Sequence, residues 1–128
     1  MTDKNTPAEQ NSSDTVPHRI AALMLEKKAL NVKIIDVREI TTLTDFFVLC
    51  ISESEPQTRA IADHINLEMK KEGVESWHIE GYQHLDWVLV DFVNIVAHIF
   101  SKEAWDYYEF ERLWADGKII EVKDKIER

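Results

Sequence analysis

His78, Glu80, His84 and Asp86, four potential ligands within nine positions, are the best metal-site candidate in the sequence. Imidazole and carboxylate together suit zinc, provided a loop folds them onto one ion. Gly81-Tyr82 interrupts the run with an irregular turn. His78 and Glu80, two apart, share one face of a strand if the strand extends that far. Solvated strand and loop residues are therefore expected here, and no metal. A second arrangement is the acid pair Asp86 and Asp91, with Asp45 as a third carboxylate. Paired carboxylates can hold divalent ions for nucleotidyl transfer. Their separation of five is odd, however, so in one regular strand they project to opposite faces and do not converge.

Phosphate chemistry finds no cradle. Gly73, Gly81 and Gly117 are the only glycines and lie too far apart for a phosphate-binding loop. Cys50 is the one cysteine, set in the apolar run Val48-Leu49-Cys50-Ile51. It reads as an inert buried thiol and excludes both an internal disulfide and multi-cysteine zinc patterns. His98 sits on an otherwise apolar strand and reads as a hydrogen-bonded interior or interface histidine. The expectation is no catalytic residue, no metal and no cofactor.

What remains is surface. Trp105, Tyr107, Tyr108, Phe110 and Trp114 crowd ten positions that also hold Glu103, Asp106, Glu109 and Glu111 nearby. In a single helix Tyr107, Phe110, Leu113 and Trp114 fall on one core-facing stripe, leaving Trp105 and Tyr108 off it. Aromatics with a charged rim are interface material.

The elements that must position these groups follow from periodicity. A polar segment, 1–13, is expected to be disordered. A first helix should start near Asp14, with Pro17 in its first turn and Ile20, Leu23, Met24 and Leu30 on its apolar face. Strands are expected at 32–37 and 46–51, the second buried on both faces. Ser54 and Gln57 have capping-box spacing, Ile61, Ala62, Ile65 and Met69 recur at helical intervals, and Gly73 supplies a stop. A strand near 76–79 completes a crossover unit. A hairpin of 87–92 and 95–100 then turns at Val93-Asn94, where the positive φ of a tight turn is unwelcome to a β-branched residue. Ser101 caps the aromatic helix and Asp116-Gly117 ends it. The expected domain is thus 14–117, α/β with one mixed sheet flanked by helices, followed by a charged tail, 118–128.

The 128 residues favour one domain, and the longest apolar stretches are too interrupted for a membrane span. The polar N-terminus lacks a signal-peptide core, so a cytoplasmic location is expected. A net charge of −9 disfavours direct nucleic-acid binding and favours a basic protein partner.

Several segments resemble one family in order and spacing. They are Ile35-Asp36-Val37, Thr44-Asp45-Phe46-Phe47-Val48, Ala60-Ile61-Ala62-Asp63, Glu80-Gly81, Asp86-Trp87-Val88-Leu89-Val90-Asp91-Phe92, His98-Ile99-Phe100 and Tyr107-Tyr108-Glu109-Phe110-Glu111-Arg112-Leu113-Trp114. Together they are similar to the Iojap/RsfS pattern of ribosomal silencing factors across residues 29–114. Ser52-Glu53-Ser54, Val93-Asn94 and Phe110 stand where that pattern usually has Gly-Thr-Ser, Gly-Asp and Leu. The resemblance implies a nucleotidyltransferase-like fold without catalytic activity. It also implies binding to ribosomal protein fourteen of the large subunit, blocked subunit joining under nutrient limitation, and homodimers when free. On this reading Asp86, Asp91, Tyr108 and Glu109 are expected at the partner-binding face, with Trp87, His98, Leu113 and Trp114 supporting it. The alternatives are a metal-dependent nucleotidyltransferase-like enzyme using Asp45, Asp86 or Asp91, and a homodimeric scaffold with another partner.

Overall fold

The structure, a computed structural model, describes residues 5–123, with side chains from Thr15 onward. Helix α1 (Asn5–Glu26) leads into strands β1 (Leu30–Asp36) and β2 (Phe46–Ser52). Helix α2 (Glu55–Lys71) precedes β3 (His78–Glu80), β4 (Trp87–Asp91) and β5 (Ile95–Ser101). Short helices α3 (Lys102–Tyr108) and α4 (Phe110–Leu113) and strand β6 (Lys118–Glu121) complete the order. The six strands form one mixed sheet, β3-β4-β5-β2-β1-β6, in which β2 and β5 run parallel and the other neighbours antiparallel.

Local chemistry accounts for much of this. Ser54 Oγ accepts from the Gln57 amide at 3.1 Å, and Gln57 Oε1 accepts from the Glu53 amide at 2.7 Å, so the α2 start is capped from both directions. Thr58, Ile61, Ala62, Ile65 and Met69 are its buried stripe. β2 is buried along its whole length, as its continuous apolar run requires. The crossover from β2 through α2 reaches β3 two strands beyond the nearest parallel neighbour, because β4 and β5 fold back between them.

Three expectations are corrected. α1 runs back to Asn5 instead of starting near Asp14, so most of the 1–13 segment expected to be disordered is helical and Pro17 lies inside the helix. Extending a helix already nucleated by buried Ile20, Leu23 and Met24 costs little per residue, and a polar stretch carries no stripe to reveal it. The tail expected at 118–128 contributes β6, paired to β1 from Asp36↔Lys118 to Lys33↔Glu121, so the domain does not end at 117. All four β6 residues are exposed, so backbone pairing rather than side-chain burial places the strand. The expected single aromatic helix is two. Glu109 adopts φ 52° and ψ 45°, a left-handed conformation that ends α3 and starts α4 in a new direction.

α1 and α2 cover one face of the sheet, where Ile34, Val48, Cys50, Val88, Val90, Ala97 and Ile99 meet Ile20, Leu23, Met24, Ile61, Ile65 and Met69. The opposite face carries Ile35, Phe47, Leu49, Val96 and Phe100 and meets only Ala104, Phe110 and the half-buried Trp105 and Trp114.

Candidate functional site

Alternation sets two rows of side chains across four strands on the less-covered face. Register aligns Phe47, Val96, Asp91 and His78 in one row, and Leu49, His98, Leu89 and Glu80 in the next. The third row, Phe100 and Trp87, lies under the aromatic helices: Trp87 is 4.9 Å from both the Phe100 and Tyr108 rings. The first two rows, apart from the fully buried Leu49, are left as the floor of an open groove of about 500 Å³.

The walls come from loops. Leu43 and Thr44 enter from the β1–β2 connection, Val93 from the hairpin turn, Trp114 from beyond α4, and Trp77 from just before β3. Leu43 is 83% and Trp77 71% exposed, a large apolar area to leave in water. The Trp77 amide donates to the Asp91 carbonyl at 2.6 Å and its ring meets His78 edge-on at 4.4 Å, so the indole is anchored at its base. At the turn Val93 has φ 76°, and the Asn94 amide donates to the Phe92 carbonyl at 3.0 Å, which closes a γ-turn around Val93. The Asp91 carboxylate accepts from the Val93 amide at 2.7 Å and helps hold this strained conformation.

Charge on the groove is one-sided. Glu80 and Asp91 line it, His78 Nε2 lies 2.7 Å from Glu80 Oε2 and His78 Nδ1 3.9 Å from Asp91 Oδ2, and among the described residues no Lys or Arg lines it.

The floor holds an aromatic cluster around His98, which is 3% exposed. Phe47, Phe110 and Phe100 rings lie 5.0, 4.6 and 6.0 Å from its ring. The Trp87 indole N–H donates to His98 Nδ1 at 3.0 Å. An indole nitrogen can only donate, so Nδ1 is the lone-pair nitrogen. Burial lowers the His98 pKa to about 3, so the ring is neutral and its proton sits on Nε2. That N–H has no partner within the described protein, and neither has Thr44 Oγ1, 6% exposed. Each such atom costs about 1–3 kcal/mol.

The sequence-derived site residues distribute unevenly. Asp91 and His98 belong to the groove, and Trp114, 4.8 Å from the Phe47 ring, walls it. Tyr108 and Glu109 lie past the Trp87 row, Glu109 paired with Arg112 at 2.9 Å. Asp86 stands at the other end of β4 from Asp91, roughly 16 Å away along the strand, and lines a separate surface with Ser52, Ser54 and Ser101. The two aspartates therefore do not converge, as their odd spacing requires. Leu113 does not support the face from inside: it is 72% exposed, and Tyr107 79%, because the break at Glu109 turns Phe110 and Trp114 inward and leaves those two out. Lys33, bonded to both Glu111 oxygens at 2.9 and 3.0 Å, fastens the redirected helix to β1.

Chemistry that makes or breaks bonds has little to work with. Burial pushes the Cys50 thiol far above its ordinary pKa. Among the described residues no three His, Cys, Asp or Glu side chains cluster to hold a metal ion, and no helix is long and apolar enough to cross a membrane. The arrangement is suited to noncovalent docking. Trp77, Leu43 and Thr44 were not singled out by sequence reasoning. The usable signal was Trp77 itself, flanked by Glu75, Ser76 and His78 with no apolar neighbour to share burial.

Comparison with known proteins is consistent with this. The family model described as "Ribosomal silencing factor during starvation" matches residues 9–128. A ribosomal silencing factor RsfS from Halalkalibacterium halodurans is 36% identical over 101 residues, covering 79% of this chain and 86% of that protein. A Chromobacterium violaceum crystal structure aligns with TM-score 0.75 at 25% identity, covering 87% of this chain and 93% of that one. A Bacillus halodurans crystal structure aligns with TM-score 0.71 at 33% identity, covering 81% and 95%.

Proposed function

The chain belongs to the RsfS family of ribosomal silencing factors, and we propose that it docks on ribosomal protein fourteen of the large subunit and sterically keeps the small subunit from joining, repressing translation under nutrient limitation. The observation that carries this reading is the groove: a preformed apolar trough with exposed Trp77 and Leu43 on its walls and Glu80 and Asp91 on its rim. Anchoring aromatics inside a polar rim are the usual anatomy of a docking surface. The acidic rim suits a basic ribosomal protein.

Asp91 contacts the partner at the rim, Tyr108 and Glu109 form an outer margin reached past Trp87, and Asp86 meets the partner only if the contact extends beyond the groove to the separate surface at the far end of β4. Trp87, His98 and Trp114 hold the face from beneath. The action is steric and noncatalytic, needs no cofactor and makes no sequence-specific nucleic-acid contact. On the family resemblance the protein is cytoplasmic and homodimeric when free. The relatives' names describe regulators rather than enzymes, which supports the noncatalytic reading over a nucleotidyltransferase.

A sucrose gradient of purified subunits tests the proposal. Added protein should sediment with the large subunit and reduce the joined ribosome peak in favour of free subunits. Normal joining, with the protein left at the top of the gradient, would rule the reading out.

A further inference from the structure

His98 Nε2 and Thr44 Oγ1 are the buried side-chain polar atoms without a partner among the described residues, and both residues line the same groove. Unsatisfied buried polar groups are uncommon in folded proteins, and two in one apolar trough ask for a common explanation. They come from different elements, Thr44 from the β1–β2 loop and His98 from the middle of β5, so no single local distortion produces both. His98 is also held in one tautomer by Trp87, which leaves Nε2–H as its unpaired donor.

We propose that these two atoms are the specificity-determining contacts of the groove: the docked segment of the ribosomal partner places an oxygen acceptor against His98 Nε2–H and a second polar group against Thr44 Oγ1. This rests on the reading of the groove as the partner-binding face. The occupant is a protein segment, apolar where it meets Phe47, Leu89 and Val96 and cationic at its flanks, because the charged residues lining the groove, among the described ones, include Glu80 and Asp91 and no Lys or Arg. Both polar atoms are buried in the free molecule, so docking includes a parting of the side chains that cover them. The arrangement discriminates in a way that an apolar groove alone cannot. A ligand that fills the trough without supplying an acceptor leaves the two groups unpaired and binds more weakly.

Large-subunit binding by co-sedimentation, alongside thermal melts of the free protein, tests this. Thr44→Val removes an unsatisfied hydroxyl at constant shape. It should leave the melting temperature equal or higher while weakening binding about tenfold, a pairing of effects that a purely structural role does not produce. His98→Phe should also weaken binding, and His98→Gln, which keeps a donor, should bind better than His98→Phe. Trp77→Ala serves as the control for the groove itself. If Trp77→Ala loses binding while Thr44→Val and His98→Phe bind like wild type, the floor contacts are not used and the inference fails, with the docking face intact. If wild type does not bind, or Trp77→Ala binds undiminished, the docking face is wrong and the inference falls with it.

Discussion

On the face beneath α1 and α2, Ile34, Val48, Val88, Ala97 and Ile99 meet two long helices, and among the described residues no orphaned buried polar side chain is found there. On the other face the short α3 and α4 cover the Phe100–Trp87 row, and Phe110 and Trp114 reach only as far as His98 and Phe47, so Leu89, Val96 and Phe47 floor an open groove above a buried histidine with an unpartnered N–H. The strands supply both faces from the same alternation, so the difference lies in what covers them. The helix-covered face is closed and satisfied, whereas the groove face is left incomplete in the free molecule and suited to being completed by a partner.

The sharpest way to separate the two faces is to truncate one residue on each. Ile65→Ala, in the fully buried stripe of α2, should cost about 2–5 kcal/mol in denaturant unfolding. Trp77→Ala should change stability by no more than about 0.5 kcal/mol. It should, however, cost about 2 kcal/mol of large-subunit binding, roughly thirtyfold in affinity. Equal stability losses in the two variants would erase the distinction drawn between the faces.

Acid should also act on the groove face. The folded-state pKa of His98, about 3, lies below the ordinary 6.5, so the unfolded chain takes up a proton that the native ring refuses. The stability due to this group is complete above about pH 6.5 and is lost as pH falls toward 3, with a slope approaching about 1.4 kcal/mol per pH unit. His98→Phe should flatten the limb between pH 6.5 and 4.5 in urea melts, and an unchanged slope would mean that His98 is protonated in the fold.

Val93→Gly releases the positive-φ strain at the groove mouth and should stabilise by about 1 kcal/mol in a thermal melt. Destabilisation would place Val93 in ordinary extended geometry. The smallest effect expected is that of salt. Rim acids Glu80 and Asp91 should lend large-subunit binding a modest decline as salt rises, most of the affinity being apolar. A steep decline would shift the main contact away from the groove and toward a wider charged surface.

Where bonds close within a few residues, the sequence was legible: the Ser54–Gln57 cap, the α2 stripe, the Ser101 cap and the Val93 conflict each depend on near neighbours. The strand alternation and the odd Asp86–Asp91 spacing also come from chain geometry alone, and the ordered family segments identified the kind of protein. What lay outside its reach was decided by distant partners. β6 is a strand because β1 has a free edge, and its exposed side chains carry no trace of that pairing. The aromatic helix breaks at Glu109 because Phe110 and Trp114 gain contacts with Phe47 and His98, residues more than ten positions away in sequence. Hydrogen-bond satisfaction at Thr44 and His98 is likewise a property of the assembled neighbourhood. A sequence states which groups can bond, and only the packed sheet decides which of them are left waiting, because desolvation and partner geometry exist only once distant strands have met.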